Sequence, residues 1–173
     1  MTRASGPELR IRPGAPRGQW RAVAVIVLAV LATAVAGAMA ARDARAFYAL
    51  LARPVWAPPA ELFAPVWTVL YVLMAVAALL LWRARASFSG VALPLFFIQL
   101  GANALWSWLF FRQHLGAVAL IDVALLWMLL VATAWAFWQV QRTAALLLLP
   151  YLLWTGFAVA LTAALWKLNP GLL

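Results

Sequence analysis

Cysteine is absent from this 173-residue chain, which excludes disulfides, thiolate metal sites and a cysteine nucleophile. A single histidine, His114, excludes a multi-histidine metal site. Acidic residues number only four against 13 Lys and Arg, and they show no acid–base pair or metal site that ordinary catalysis would use. Charge is missing from long stretches: residues 22–41, 66–82, 86–111, 113–121, 123–141 and 143–166 carry none. Spanning a bilayer core takes roughly 20 apolar residues. With 68% hydrophobic residues and a mean hydropathy of +0.99, the chain is well beyond the apolar content of a soluble domain. The runs read as an all-α integral membrane protein of five transmembrane helices, at about 20–41, 65–82, 91–111, 115–139 and 143–168. They form one domain over 20–169, with no room for a separate soluble one.

The net charge of +9 sits at helix ends and in a basic tail over residues 1–19, which is rich in Arg, Pro and Gly and reads as disordered. That distribution points to anionic lipid headgroups and away from nucleic acid. Arg3, Arg10, Arg12, Arg17, Arg21, Arg83, Arg85 and Arg142 fall on the N-terminal side, and Arg42, Arg45, Arg53, Arg112 and Lys167 on the other. The imbalance favours a cytoplasmic N-terminus in a plasma membrane, though an outer membrane would not follow that rule, and which membrane stays open. The first apolar run exceeds the 7–15 residues of a signal core, so it reads as a retained helix. Its small residues Ala29, Thr33, Gly37 and Ala41 recur every fourth position and suit close helix packing.

What the chain has in abundance is tryptophan, 11 in all. Trp20, Trp82 and Trp166 sit at helix ends, where interfacial anchoring accounts for them. The stretch Phe47 to Tyr71, FYALLARPVWAPPAELFAPVWTVLY, is different. Pro54, Pro58 and Pro59 cannot lie inside a regular helix, and Arg53 and Ala57 before them are pushed to extended backbone. Pro65 suits the first residue of the helix that follows. The segment reads as an ordered aromatic loop folded over the bundle, followed by a helix carrying Trp67 and Tyr71.

Polar groups inside a membrane bundle are informative. Gln99, Asn103 and Ser107 fall at i, i+4 and i+8 and so share one helix face, with Trp106 beside them. Interhelical hydrogen bonding alone explains such a stripe, and so does a ligand. Asp122 is the one acid well inside a span; it is either buried and paired across the bundle or near the interface, eased by the helix N-terminal dipole. His114, in the short connection between the third and fourth spans, reads as a solvated loop residue in preference to a haem ligand. On the fifth span Trp154, Ala158, Leu161 and Leu165 share a face, Gly156, Ala160 and Ala164 make a small one, and Pro150 suggests a kink.

These residues resemble the TspO/MBR family over about residues 22–169. The specific segments are FYALLARPVWAPP (47–59), PVWTVLY (65–71), QLGANALWSWLFF (99–111) and PYLLWTGFAVAL (150–161). The resemblance implies a compact five-helix bundle, frequently a homodimer, with a ligand pocket capped by the loop after the first helix. It implies binding of porphyrins such as protoporphyrin IX and haem, held non-covalently. By motif position the pocket would take Tyr48 and Pro59 from the loop, Trp67 and Tyr71 from the second span, Asn103, Trp106, Ser107 and Phe110 from the third, and Trp154, Ala158 and Leu161 from the fifth. The family's Trp-Tyr pair reads Phe47-Tyr48 here, and its Lys-Pro reads Arg53-Pro54. Where animal members carry a Leu-Asn-Tyr sterol motif, this chain has Leu161-Thr162-Ala163, which leaves out the tyrosine and favours a bacterial, porphyrin-type member.

The leading functional expectation is a membrane-embedded sensor that stacks a planar tetrapyrrole on Trp67 and Trp154 and offers its propionates to Arg53 or loop N–H groups. The alternatives are light-dependent breakdown of bound porphyrin, in which the chemistry is the ligand's own, and transport, for which the sequence lacks the discontinuous helices and repeats of a secondary carrier. Counting from helix ends at 1.5 Å per residue puts Trp154 roughly 20 Å inside the fifth span, with Trp67 about one turn into the second, so a ligand touching both would stand upright.

Overall fold

A computed structural model describes residues 16–84 and 89–173. Five helical spans are long and apolar enough to cross a membrane: Trp20–Ala40, Ala60–Arg83, Gly90–Arg112, Gly116–Val140 and Arg142–Leu168. The first is α1 (Pro16–Ala40). The basic tail at residues 1–15 lies outside the described residues; residues 16–19 belong to α1, because nothing in Pro-Arg-Gly-Gln blocks a helix that has proline in its first turn.

A short helix, α2 (Ala44–Leu50), follows. The expected loop therefore begins later than its sequence suggests: Phe47 and Tyr48 are helical, and both are buried. The chain turns extended at Leu51, runs irregularly past the three prolines, and re-enters the bundle through a 3₁₀ turn at Ala60–Leu62. That turn leads directly into α3 (Phe63–Arg83). Pro65 thus lies inside the first turn and not at its first residue, still where no N–H is needed. The third span is α4 (Ser89–Ser107) closing in a π-helical turn, Trp108–Arg112. Starting at Ser89 places Pro94 inside the helix, beyond the first turn expected for it. The fourth span is α5 (Gly116–Val140).

The fifth span is broken. It comprises α6 (Arg142–Leu147) and α7 (Leu149–Leu168), interrupted at Leu148. The break is the expected Pro150 disturbance moved two residues upstream: the proline takes a first-turn position in a new helix, and α6 ends before it.

Packing sets the order of the spans. Helix α1 lies against both α3 and α4; α4 packs on α5; α5 packs on α6 and α7; α6 closes the ring on α3. The buried stripe of α1, Ile26, Val30, Thr33, Gly37 and Ala40, is the small-residue face read from the sequence, shifted by about one residue. At Gly37 a methyl group would stand 3.4 Å from the Tyr71 hydroxyl and 3.5 Å from Ser107 Oγ, so this glycine lets α1 lie close over the polar interior. The loop after α2 meets the end of α7: Asn169 accepts from the N–H of Ala52 at 2.8 Å and donates to its carbonyl at 2.9 Å. The start of α1 and the end of α7 therefore lie at opposite ends of the bundle, as five spans require. The core has two apolar clusters stacked along the bundle. One, around Met74, Phe96, Leu130, Phe137 and Leu148, fills the half toward the start of α1. The other, around Phe47, Tyr48, Trp106, Phe110, Ala158 and Leu165, fills the half beneath the loop.

Gly116 opens α5 against the end of α7. A Cβ there would fall 2.7 Å from Cδ1 of Trp166 and 2.9 Å from Cβ of Leu173, both near the stems of their side chains and unable to swing away cheaply. Gly116→Ala is expected to lose about 1–3 kcal/mol by overpacking. A fall in the detergent melting temperature checks this, with Gly101→Ala, where nothing stands within 4 Å, as the silent control.

An aromatic cavity beneath the loop

The loop is held at three points. Tyr48 donates its hydroxyl to the Pro58 carbonyl at 3.1 Å. Asn169 clamps Ala52 as described. Trp56 sets its ring edge-on to Phe157 of α7 at 5.7 Å. Outside the bundle, Arg45 faces Glu61 at 3.6 Å and Arg112 faces Asp43 at 3.9 Å, exposed pairs that add little stability. The Arg53 guanidinium lies 5.0 Å from the centre of the Tyr48 ring. Burial raises the Tyr48 phenol above its usual range, and Arg53 pulls it partly back; the group remains a protonated donor at neutral pH.

Under this loop lies a cavity lined by Tyr48, Phe63, Trp106, Phe110, Phe111, Trp154, Phe157, Ala158, Leu161, Thr162 and Leu165. It brings together six residues named from the sequence: Tyr48, Trp106, Phe110, Trp154, Ala158 and Leu161. Its volume is about 10 Å³, room for about one water, because the aromatic rings pack on one another. Trp106 stacks on Phe110 at 5.7 Å, and Trp154 meets Phe63 at 6.0 Å and Phe157 at 5.5 Å.

Behind the cavity a chain of hydrogen bonds crosses three spans. Tyr71 donates to Asn103 Oδ1 at 2.9 Å; Asn103 Nδ2 donates to the Tyr151 hydroxyl at 2.8 Å; that hydroxyl donates to Gln99 Oε1 at 3.0 Å. Gln99, Asn103 and Tyr151 are fully buried. Ser107 is buried as well, its hydroxyl 3.5 Å from the Asn103 carbonyl. The polar stripe of the sequence is thus a structural joint between α3, α4 and α7.

Trp67 is not a wall of the cavity. It packs between the two clusters, 6.3 Å from Trp106, 5.6 Å from Tyr71 and 6.0 Å from Tyr151. The expected depth difference from Trp154 is overturned. Trp154 meets Phe63, one turn before Trp67, so the two tryptophans lie within about 6 Å in depth. Helix α7 runs past the start of α3 toward Asn169, and the loop descends alongside it; counting from helix ends assumed ends at one level. Pro59 and Arg53 lie on the outer face of the loop, both exposed, around an open dish with Leu51, Pro54, Val55 and Ala57.

Sequence reasoning did not assign Tyr151, Phe63, Phe111, Phe157 or Thr162 to the site, and it placed Leu165 on the Trp154 face without assigning it to the pocket. Tyr151 and Phe157 flank Trp154 at i−3 and i+3, a helical spacing that places all three on neighbouring faces. His114 is exposed at φ 56° and stacks on Phe47 at 3.9 Å.

Asp122, in the second turn of α5, is 7% exposed, and its Oδ2 has no hydrogen-bond partner among the described residues. The residue is buried near the start of α5, and among the described residues no cross-bundle hydrogen-bond partner meets it. A buried acid without a partner carries a desolvation penalty that a neutral residue does not. Asp122→Asn is expected to raise the detergent melting temperature at pH 8, and Asp122→Leu to raise it further, by about 2–4 °C for each kcal/mol relieved. A lowered melting temperature in both variants would reveal a partner.

Fold and site together define a multi-pass α-helical membrane protein with an aromatic cavity inside the bundle and an ordered loop over it. Comparison with known proteins places it further. A model of the TspO/MBR family matches residues 23–167, and the chain belongs to that family. It is 41% identical over 126 residues to the tryptophan-rich protein TspO of Chlorobaculum tepidum, covering 72% of this chain and 80% of that one. It is 37% identical over 150 residues to the tryptophan-rich sensory protein of Cereibacter sphaeroides, covering 87% and 92%. The translocator protein of Sus scrofa is 39% identical over 128 residues, 72% of this chain and 76% of the animal one.

Proposed function

We propose that the chain is a membrane-embedded binding and sensor protein for planar tetrapyrroles such as protoporphyrin IX or haem. The observation that carries this is the cavity: Trp106, Trp154, Phe110 and Tyr48 converge under a loop that is ordered but held by few contacts. Large, flat, apolar ligands gain from aromatic walls both by buried area and by stacking. Arg53, exposed at the loop above Tyr48, supplies a cation for propionates while the porphyrin ring lies below. The cavity is nearly closed, so ligand entry requires the Trp56–Phe157 contact to part and the rings of Trp154 and Phe157 to turn. That movement of loop against α7 is what a signalling partner, or a second copy of the chain, would read.

The relatives bearing the names sensory protein and translocator protein support a binding role and leave transport as the competing reading. Protoporphyrin IX titration in darkness, followed by tryptophan fluorescence, tests binding. Saturation at one porphyrin per chain is expected; no quenching beyond that of free tryptophan would remove the proposal. The absorbance of the complex in light against darkness separates binding from photochemical breakdown.

A further inference from the structure

Of the residues that line the cavity, Trp106 has a feature that packing does not account for. It is 4% exposed, and its indole N–H finds no acceptor among the described residues. By contrast, the indole N–H of Trp127, a ring 39% exposed on the outer side of α5, donates to the Leu152 carbonyl at 3.2 Å. A buried donor without an acceptor is uncommon, and leaving one unmade costs the full desolvation of the group. The stacking of Trp106 on Phe110 and its edge contact with Phe111 need only the ring, and phenylalanine would provide that.

We infer that the Trp106 indole N–H is a specificity device: it selects planar aromatic ligands that carry a hydrogen-bond acceptor, a carbonyl or carboxylate oxygen, on the edge that enters the cavity. This rests on the cavity being the binding site proposed above. The remaining walls are rings and alkyl groups, apart from the Tyr48 hydroxyl, which is already donated to Pro58, and Thr162. A ligand lacking an acceptor closes the cavity around an unpaired donor. A ligand with a carbonyl in reach pairs it, in apolar surroundings where a hydrogen bond is stronger than in water. The discrimination comes from the penalty on the wrong ligand as much as from the gain on the right one, as in sites built to hydrogen-bond one substrate group.

The test uses two probes of equal shape, 9-fluorenone and fluorene, which differ by one carbonyl oxygen. Each is titrated against the full chain in detergent by displacement of protoporphyrin IX. The parent protein is expected to prefer fluorenone by about tenfold, and Trp106→Phe to bind the two alike. Equal binding by the parent, or a preference that survives in Trp106→Phe, overturns the inference. Failure of both probes to displace the porphyrin also overturns it, and the porphyrin titration itself then shows whether the proposed function stands. A second measurement needs no variant: the infrared carbonyl stretch of bound fluorenone in the parent should lie below its value in hydrocarbon solvent. An unshifted band overturns the inference even if Trp106→Phe fails to fold.

Discussion

Asn103→Leu should lower the melting temperature in detergent by about 10 °C, the largest loss expected from any single change inside the bundle. Asn103 accepts from Tyr71 and donates to Tyr151, so one side chain joins three spans. Leucine has nearly the same volume and removes both contacts without opening a cavity. Tyr71 then has no acceptor for its hydroxyl, and Tyr151 loses one of its two partners. Interhelical hydrogen bonds in membrane proteins average only about 0.6 kcal/mol and reach about 1.7, because separated helices find other partners in the membrane. Here Tyr71 loses its acceptor and Tyr151, whose exposure is nil, loses a donor, so the penalty for interior groups left short of a partner governs, about 1–3 kcal/mol each. Two such groups amount to about 2–6 kcal/mol, and about 2–4 °C per kcal/mol gives a fall centred near the quoted one. The diagnostic is non-additivity. Replacing the whole chain by Tyr71→Phe, Asn103→Leu and Tyr151→Phe together should recover part of the loss, since no unpaired donor remains among the three. A melting temperature for Asn103→Leu equal to that of the parent would show that the chain of hydrogen bonds does not hold the spans together.

The same residues show how far sequence reasoning reaches in such a protein. The spans were legible because lipid permits only long, nearly uncharged helices, and six uncharged runs, two of them parted only by Asp122, left five helices as the partition. The Gln99–Asn103–Ser107 stripe was legible because three polar residues on one face of a membrane helix must point inward. Tyr151 was not, because a lone tyrosine near a helix start looks like an interfacial anchor until its partner is known to be Asn103, 48 residues away. The relative depth of Trp67 and Trp154 failed for a related reason. Depth depends on how far α7 overruns α3, which is set by the Asn169–Ala52 clamp and by the loop packed between them. Periodicity contains no record of that offset. Asp122 was recognised as unusual, but whether a partner meets it is a question of neighbouring helices, which intra-helix spacing cannot answer.

Porphyrin affinity should fall about tenfold or more in Trp154→Ala, several-fold in Trp67→Ala, and not at all in Trp20→Ala. The ranking follows from position. Trp154 is a wall of the cavity, set between Phe63 and Phe157; Trp67 touches the cavity only through Trp106; Trp20 is 74% exposed at the far end of α1. Stacking contributes about 0.5–1.5 kcal/mol beyond buried area, and a buried tryptophan truncated to alanine in an interface typically loses 2 kcal/mol or more, hence the tenfold figure. An opposing effect has to be weighed. The cavity is nearly closed, so removing an indole also makes space and lowers the work of opening it. If space were limiting, Trp154→Ala would bind porphyrin more tightly than the parent, and Trp154→Phe would fall between the two. If stacking dominates, Trp154→Phe retains most of the affinity and Trp154→Ala loses it. For a ligand as wide as a tetrapyrrole a single indole supplies only part of the room required, whereas its ring is a whole stacking face, so stacking should win. Fluorescence-quenching titrations on folded, monodisperse variants decide between the two orders. Tighter binding in Trp154→Ala would make this residue a plug to be displaced, with the ligand platform supplied by Trp106 and Phe110 alone.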